Sequence, residues 1–154
     1  MNYIVYESPI GKLWLCEEEG SLTALSFSKT KIPLQVQERE TPILVEAKKQ
    51  LNEYFAEKRE KFDLPIKFKG TSFQQKVWKA LCQVPYGQTA SYKEIAQNIQ
   101  NEKACRAVGM ANNKNPIAII VPCHRIIGTN GKLVGYAGGL EIKQKLLELE
   151  RKRK

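Results

Sequence analysis

Apolar and polar residues alternate near the start of the chain, in the stretch "NYIVYESPIGKLWLCEEEGSLTALSF". An alternation with a period of two is typical of strands that bury one face. Turn-forming residues interrupt the alternation at Ser8-Pro9-Ile10-Gly11 and again at Glu19-Gly20. The pattern therefore predicts strands that are joined by tight turns.

Beyond Thr41 the period of the apolar residues becomes helical. Thr41 suits an N-cap and Pro42 suits the first helical position. The apolar residues that share one face of this helix are Ala47, Leu51 and Phe55. The next stretch, "EKREKFDLPIKFKGTS", has no period and contains Pro and Gly, which favours a linker. We expect one small α+β domain over residues 1–65 and a second domain over residues 71–154.

The second domain is predicted to be mainly helical. Ser72 is expected to cap a helix that ends at Pro85-Tyr86-Gly87. Two short helices follow, "YKEIAQNI" capped by Ser91 and "EKACRAVGMANN" capped by Asn101. Two short helices joined by about three residues are typical of a helix-turn-helix. Asn130-Gly131 predicts a later turn, and a last helix should run from Leu140 to about Lys152.

The outward face of the second short helix is flat. Ala104, Val108 and Ala111 share the inward face, whereas small residues surround a single arginine on the other. That outer set is Arg106, Gly109, Met110 and Asn113. A flat face suits close approach to a nucleic-acid backbone or a minor groove, with weak sequence preference. An ordinary helical hairpin with a solvated Arg106 is the alternative.

The positive charge of the chain is confined to its second half. Residues 1–70 hold 11 Lys and Arg against 11 Asp and Glu, whereas residues 71–154 hold 14 against 5, so 14 − 5 = +9. This asymmetry indicates an anionic partner for the second half. A solubility bias with a basic tail, "RKRK", would produce the same count.

The four cysteines, at positions 16, 82, 105 and 123, form no close pair, and the chain has one histidine. These spacings argue against a disulfide framework and against a zinc site, so we expect reduced thiols and no metal. No run of about 18 apolar residues and no signal peptide is visible, which predicts a cytoplasmic protein without a membrane span.

The apolar run "IAIIVPCHRIIG" places the one histidine directly after Cys123. A thiolate is the reactive form of cysteine, and burial alone would make Cys123 inert. Neighbouring strand residues point to opposite faces, so His124 could reach Cys123 only if the backbone turns after Pro122 or through a water. A structural cysteine is the alternative, and we assign that role to Cys16 and Cys82.

Glu150 lies on the apolar face of the last helix, where an unpaired carboxylate would be costly. His124 is a suitable partner for it. Glu150 could orient His124, and His124 could take the thiol proton, which holds the Cys123 sulfur deprotonated. A frayed, solvated glutamate is the alternative.

These residues carry a resemblance to a known family. The stretches "SYKEIA", "RAVGMANNKNP", "VPCHRIIG" and "GYAGGLEIKQKLLELE" make the chain resemble the O6-alkylguanine-DNA alkyltransferases. The match covers roughly Phe73 to Glu150, whereas residues 1–70 match only in general character. The resemblance implies an α+β fold, with a small N-terminal ribonuclease-H-like α/β domain followed by a C-terminal winged helix-turn-helix domain.

The resemblance also implies the reaction. An alkyl group moves irreversibly from O6-alkylguanine in double-stranded DNA to a protein cysteine, once per molecule, after the nucleotide is flipped out. O4-alkylthymine stays open as a second substrate. No cofactor is implied, and the protein is expected to be a monomer in the cytoplasm, associated with the nucleoid.

Residue roles follow by the same resemblance. Cys123 is the acceptor, His124 its water-linked base and Glu150 the group that holds His124. Asn115 fixes the turn beneath the active-site strand. Tyr92 rotates the target nucleotide out and donates to guanine N3.

The remaining roles implied by the resemblance concern DNA and the flipped base. Arg106 fills the vacated stack and Tyr136 packs beside the base. Backbone groups of Cys123, Ile126 and Ala137 read the edge of the base. Residues expected to contact DNA are Gly109, Gln74, Lys93, Asn101 and Thr129. Ala137 replaces a serine, and Ala118 a proline, of some family members.

Two other functions compete with this prediction. A DNA binder without catalysis would lack the cysteine, which is present here. A Cys-His hydrolase would need an oxyanion hole and turnover, and it would leave the basic helix-turn-helix unexplained.

Overall fold

The structure, a computed structural model, describes residues 1–29, 35–128, 136 and 138–152. Contacts between residues divide the chain into two units, Met1–Phe68 and Lys69–Lys154. None of the helices in these described ranges has the length and apolar character needed to cross a membrane.

The predicted strands of the first unit are confirmed. Strands β1 (Asn2–Ser8), β2 (Gly11–Glu18) and β3 (Ser21–Ser26) pair in antiparallel order. A two-residue strand, β4 (Gln37–Glu38), pairs parallel to β1, so the sheet order is β3-β2-β1-β4. Glu19 and Gly20 both have positive φ, 51° and 81°, as a tight hairpin turn with right-handed strand twist requires.

Helix α1 (Pro42–Phe55) begins directly after Thr41, as predicted. Its buried side chains include Leu44, Ala47, Leu51 and Tyr54. The predicted linker is wrong in one part. Leu22 donates its N–H to the Pro65 carbonyl at 2.8 Å and pairs with Ile66, so this segment belongs to the first unit. Backbone hydrogen bonds to β3 attach residues 65–67 to the first unit, and such bonds leave no periodic pattern in the sequence.

The second unit contains four helices and a short two-stranded sheet in the described ranges. The helices are α2 (Ser72–Leu81), α3 (Tyr92–Asn98), α4 (Cys105–Asn113) and α5 (Leu140–Lys152). Strands β5 (Ala90–Ser91) and β6 (Ile126–Ile127) pair in parallel. The turn expected at Asn130-Gly131 lies outside the described residues.

The N-caps of α2 and α3 show how their sequences fix the helix starts. Ser91 caps α3 as predicted, and Glu94 completes a reciprocal capping box with it. The prediction of Ser72 as the cap of α2 is wrong by one residue. Thr71 is the cap, because Gln74 stands three positions after it and returns a hydrogen bond to the Thr71 N–H.

The prediction that Asn101 caps α4 is wrong. Helix α4 begins at Cys105, and Asn101 instead belongs to the end of α3. The Asn101 N–H donates to Ala96 and the Gln100 N–H to Gln97, with Gln100 at φ 61°. This is a Schellman ending of α3, and it lengthens the connection between the two helices.

Candidate active site

The thiol and the imidazole lie on one tight turn of the backbone. Residues Cys123–Arg125 form a single 3₁₀ turn, in which the Arg125 N–H donates to the Pro122 carbonyl at 3.1 Å. The alternative in which the backbone turns after Pro122 is therefore confirmed. Because the segment is not a strand here, Cys123 and His124 are not forced onto opposite faces.

Asn115 braces the loop that leads into this turn. Its Nδ2 donates to the Val121 carbonyl at 2.8 Å, and its Oδ1 accepts from the Ile117 N–H at 3.0 Å. Between these contacts Ile119 adopts φ 71°, a left-handed conformation that is unusual for a β-branched residue. The amide bonds of Asn115 thus hold a strained loop directly before the turn that carries the thiol.

Glu150 is the centre of a buried hydrogen-bond network. Its Oε2 accepts from His124 Nε2 at 2.7 Å, and its two oxygens accept from Arg125 Nε at 2.8 Å and Nη2 at 3.1 Å. Arg125 also donates to the Val84 carbonyl at 2.8 Å, and its guanidinium lies 5.7 Å from the Tyr86 ring centroid. His124 and Glu150 are completely buried. The alternative of a frayed Glu150 is wrong.

The protonation of this network follows from its surroundings. Burial alone would raise the pKa of Glu150, but the hydrogen bonds and charges of His124 and Arg125 hold it well below its ordinary range. Burial lowers the pKa of His124, which keeps the imidazole neutral at pH 7. An ionised Glu150 accepts the Nε2 proton, so Nδ1 carries the lone pair. Among the described residues, Nδ1 has no hydrogen-bond partner.

Cys123 is a neutral thiol in this resting state. The residue is only 4% exposed, and burial raises the pKa of its thiol to about 11. Hydrogen bonding by Asn115 and the charge of Lys143 act in the opposite direction without overcoming burial. The prediction of a resting thiolate is therefore wrong. The sulfur needs a base at the moment of reaction, and the free Nδ1 of the next residue can act as one.

Lys143 is a buried cation that the sequence pattern did not single out. It lies in α5, is fully buried, and donates from Nζ to the Ile126 carbonyl. Burial lowers the pKa of Lys143 to about 8, while the nearby Cys123 sulfur acts to raise it. The ammonium is thus still protonated at pH 7, and it is the charge that most favours ionisation of the thiol.

Tyr92 faces the same site from the start of α3. A side-chain carbon built at Gly109 of α4 would lie 3.8 Å from Cε1 of Tyr92, an ordinary van der Waals distance, so the ring packs over this position of α4. Burial raises the pKa of the Tyr92 phenol, the Cys123 sulfur raises it further, and Asn112 acts to lower it. The phenol and the sulfur therefore lie close enough to influence each other electrostatically.

The other predicted residues fall into four groups. Arg106, Lys93 and Asn101 are exposed and make no contact with the sulfur network in the described ranges. The Gln74 side chain is used in the capping box of α2, and both backbone groups of Ile126 are engaged, by Lys143 and Cys123. Tyr136 is half-buried and its carbonyl accepts from Gly139. Thr129 and Ala137 lie outside the described residues.

The structural role assigned to Cys82 is wrong, whereas Cys16 is buried as expected. Cys82 is exposed because it follows the last residue of α2, Leu81, which takes the inward position. Arg125 and Lys143 were missed because a cation usually indicates a solvated face. A sequence signal existed for Lys143, since it precedes Leu146, Leu147 and Glu150 by helical spacing on the inward face of α5.

Both parts of the chain match families of known proteins. Residues 72–152 match the family described as 6-O-methylguanine DNA methyltransferase, DNA binding domain. Residues 1–68 match 6-O-methylguanine DNA methyltransferase, ribonuclease-like domain. The predicted family resemblance and the predicted α+β fold, with a ribonuclease-like part followed by a DNA-binding part, are confirmed.

Similar proteins cover almost the whole chain. A methylated-DNA–protein-cysteine methyltransferase of Methanosarcina acetivorans is 52% identical over 153 residues, 97% of this chain and 98% of that protein. The constitutive protein of that name from Bacillus subtilis is 50% identical over 159 residues, 98% of this chain and 96% of its own. The crystal structure of Mycobacterium tuberculosis OGT in complex with DNA superposes with a TM-score of 0.94 at 48% identity, covering 99% of this chain and 94% of that one.

Proposed function

This chain belongs to the 6-O-methylguanine DNA methyltransferase family, and we propose that the Cys123 sulfur is its alkyl acceptor. The protein repairs DNA by direct reversal, taking the alkyl group from O6-alkylguanine in a single, stoichiometric transfer. The observation that carries the assignment of Cys123 is the buried chain from Glu150 to His124, whose free Nδ1 belongs to the residue next to the thiol.

The reaction begins with ionisation of a thiol whose pKa is unfavourable. Nδ1 of His124 takes the Sγ proton by way of a water, and Glu150 stabilises the resulting imidazolium. The Lys143 ammonium stabilises the thiolate while it lasts. Burial keeps this charge separation away from bulk solvent, where each of these interactions would be weaker.

The thiolate then attacks the alkyl carbon of the flipped nucleotide. The S–C bond forms as the C–O6 bond breaks, and the electron pair passes to the guanine. Tyr92 gives its phenolic proton to N3, which neutralises the leaving base. The product is a thioether on Cys123 and an unmodified guanine, with no metal or cofactor required by this balance.

The DNA-facing residues prepare this geometry. We assign to Arg106, exposed on α4, the filling of the vacated stack, and to Gly109 the close approach of α4 to DNA. Tyr136 packs beside the base, whose edge is read by backbone groups of Cys123, Ile126 and Ala137. The Ile126 carbonyl already accepts from Lys143 and uses its second lone pair for this contact. The further contacts with DNA that we assign are made by Gln74, Lys93, Asn101 and Thr129. Because the substrate is genomic DNA, we place the protein in the cytoplasm, associated with the nucleoid.

Mass spectrometry tests the assignment of the acceptor. After incubation with a duplex containing O6-methylguanine, the intact protein should gain the mass of one methylene unit, located on the peptide that contains Cys123. Cys82→Ser should react like the unchanged protein, because Cys82 is exposed and lies outside the network, whereas Cys123→Ala should bind DNA without reacting.

Three results would contradict the proposal. A methyl group on Cys82 or Cys105 would move the acceptor, and unmodified protein beside undiminished lesion would leave only a DNA binder. Conversion of many lesions per protein molecule would indicate a hydrolase.

A further inference from the structure

Asn112 is a buried amide without a partner at the edge of the active site. It lies on α4, is 1% exposed, and neither Oδ1 nor Nδ2 has a hydrogen-bond partner among the described residues. Buried polar atoms are normally hydrogen-bonded, and an exception in a native fold requires an explanation. Helix α4 would be equally well formed with an apolar residue here, so the amide calls for a role in function.

The position of Asn112 on α4 directs it toward Tyr92. Gly109 stands three residues earlier, so the two residues share one face of the helix. The Tyr92 ring passes over that face, with Cε1, the ring atom next to the hydroxyl-bearing carbon, 3.8 Å from the place of a Gly109 side chain. No hydrogen bond joins the two side chains in the resting structure, yet Asn112 is close enough to act to lower the pKa of Tyr92 against the larger effect of burial.

We propose that Asn112 is a positioning residue for Tyr92, whose amide N–H holds the phenol oxygen while the phenol proton passes to guanine N3. The inference rests on the proposed function and adds a residue to it. The step is balanced: the phenol O–H bond breaks, an N–H bond forms at N3, and the negative charge that the guanine would carry is left on the Tyr92 oxygen. The Asn112 N–H is then hydrogen-bonded to a phenolate, and solvent later returns the proton.

The neighbouring sulfur explains why an uncharged donor is suited to this place. The Cys123 charge raises the pKa of Tyr92, so phenolate and thiolate are disfavoured together. During transfer the sulfur loses its charge to the new S–C bond, and Tyr92 becomes easier to ionise as the base leaves. An amide supports the phenolate at that moment without pairing permanently with the thiolate, as a cation in the same position would do.

The test compares Asn112→Leu, Tyr92→Phe and the double variant on two duplexes. One duplex contains O6-methylguanine, and the other its 3-deaza analogue, in which a C–H replaces the N3 acceptor. Asn112→Leu should slow single-turnover methyl transfer from O6-methylguanine by about 10- to 100-fold, the range of a hydrogen bond to a charged group. On the 3-deaza duplex, Asn112→Leu and the unchanged protein should react at nearly the same rate. In the Tyr92→Phe background it should have no further effect.

Asn98→Leu, an exposed amide on α3, is the matched control and should react like the unchanged protein on both duplexes. Equal slowing on both duplexes, additive slowing in the double variant, or unchanged transfer by Asn112→Leu would each overturn the role of Asn112. Asn112→Ala would replace the leucine variant if circular dichroism showed that the latter did not fold. Failure of the unchanged protein to methylate Cys123 would instead overturn the proposed function itself.

Discussion

A single carboxylate organises the chemistry at the scale of residues. Glu150 receives hydrogen bonds from His124 and Arg125, and the Gly87 N–H lies 3.4 Å away. Buried polar groups that are fully hydrogen-bonded stabilise one arrangement of their side chains, whereas removal of one partner leaves the others unpaired. The carboxylate therefore fixes the tautomer of His124 and the orientation of its ring together.

Replacement of Glu150 by glutamine should weaken the base. The carboxylate opposes the effect of burial on the pKa of His124, so without it that pKa falls further. We expect Glu150→Gln to slow methyl transfer at pH 7 by at least about tenfold, with the acid limb of the rate profile moved to lower pH. Single-turnover rates, measured from about pH 5 to about pH 9 at intervals of about half a pH unit, show both effects.

Glu148→Gln is the matched control, because Glu148 lies on the same helix but is exposed. It should retain the rate and the pH profile of the unchanged protein. An unaltered acid limb in Glu150→Gln would mean that Glu150 has a purely structural role.

Cys123, His124 and Glu150 could be predicted as a group, because their residue types are unusual where they stand in the apolar pattern. Lys143 was harder to single out, because the same residue type covers exposed helix faces throughout the second half of the chain and only its helical spacing to the inward residues of α5 marks it. The resting protonation state of Cys123 was also beyond the sequence. It depends on how completely the 3₁₀ turn is buried, which distant parts of the chain decide.

At the scale of elements, helix α4 also has features that the sequence predicts and features that it does not. Its inward residues Val108 and Ala111 are buried and its outward Arg106 is exposed, as the helical period predicts. The period could not locate its first residue, because the Schellman ending of α3 uses Asn101. The 3₁₀ turn and the two-residue strands β5 and β6 were likewise unpredictable, since elements this short depend on hydrogen bonds to remote segments.

Arg106→Ala tests the part of α4 in extrusion of the base. Loss of a guanidinium from the vacated stack should slow repair in duplex DNA by about 10-fold or more, because unstacking a base costs a few kcal/mol. Reaction with free O6-benzylguanine needs no extrusion, and its rate should change little. Rates of Cys123 alkylation with the two substrates measure the difference.

Lys145→Ala removes the same charge from α5 and serves as the control for long-range attraction. If both substrates lost rate equally in Arg106→Ala, the arginine would act on the fold or on the pocket, and the role in extrusion would be lost.

The molecule as a whole should lose stability in acid at an identifiable residue. His124 is the one histidine of the chain and is buried with a lowered pKa. In the unfolded chain the histidine takes up a proton near pH 6.5, whereas in the folded protein it stays neutral to lower pH. The free energy of unfolding is therefore highest above pH 6.5 and decreases as the pH falls below it. The loss approaches about 1.4 kcal/mol per pH unit for one proton. Glu150, whose pKa is also lowered, adds a further loss below its ordinary range.

Urea unfolding of a Trp14→Phe variant measures the stability of the second unit at each pH, because the fluorescence then comes from buried Trp78. The slope of stability against pH between pH 6.5 and 5 should disappear in His124→Gln. A slope that persisted there would assign the effect to carboxylates.

Helix α5 carries both Lys143 and Glu150, about two turns apart, so that one rigid element contacts the sulfur and its base simultaneously. A methyl group on Cys123 removes the thiol that can ionise beside the Lys143 ammonium, and it inserts atoms into a packed region. Amide hydrogen exchange should therefore accelerate along α5 after methylation, while α1 in the other unit keeps its rate and serves as the internal reference.

Unchanged exchange in α5 would show that the pocket absorbs the methyl group locally. Otherwise a used molecule differs from a fresh one by a loosened final helix, which is a mark that a protease or a chaperone can detect without any access to the sulfur. The spent state of a protein that acts once would then be recognisable from the exposed side of α5.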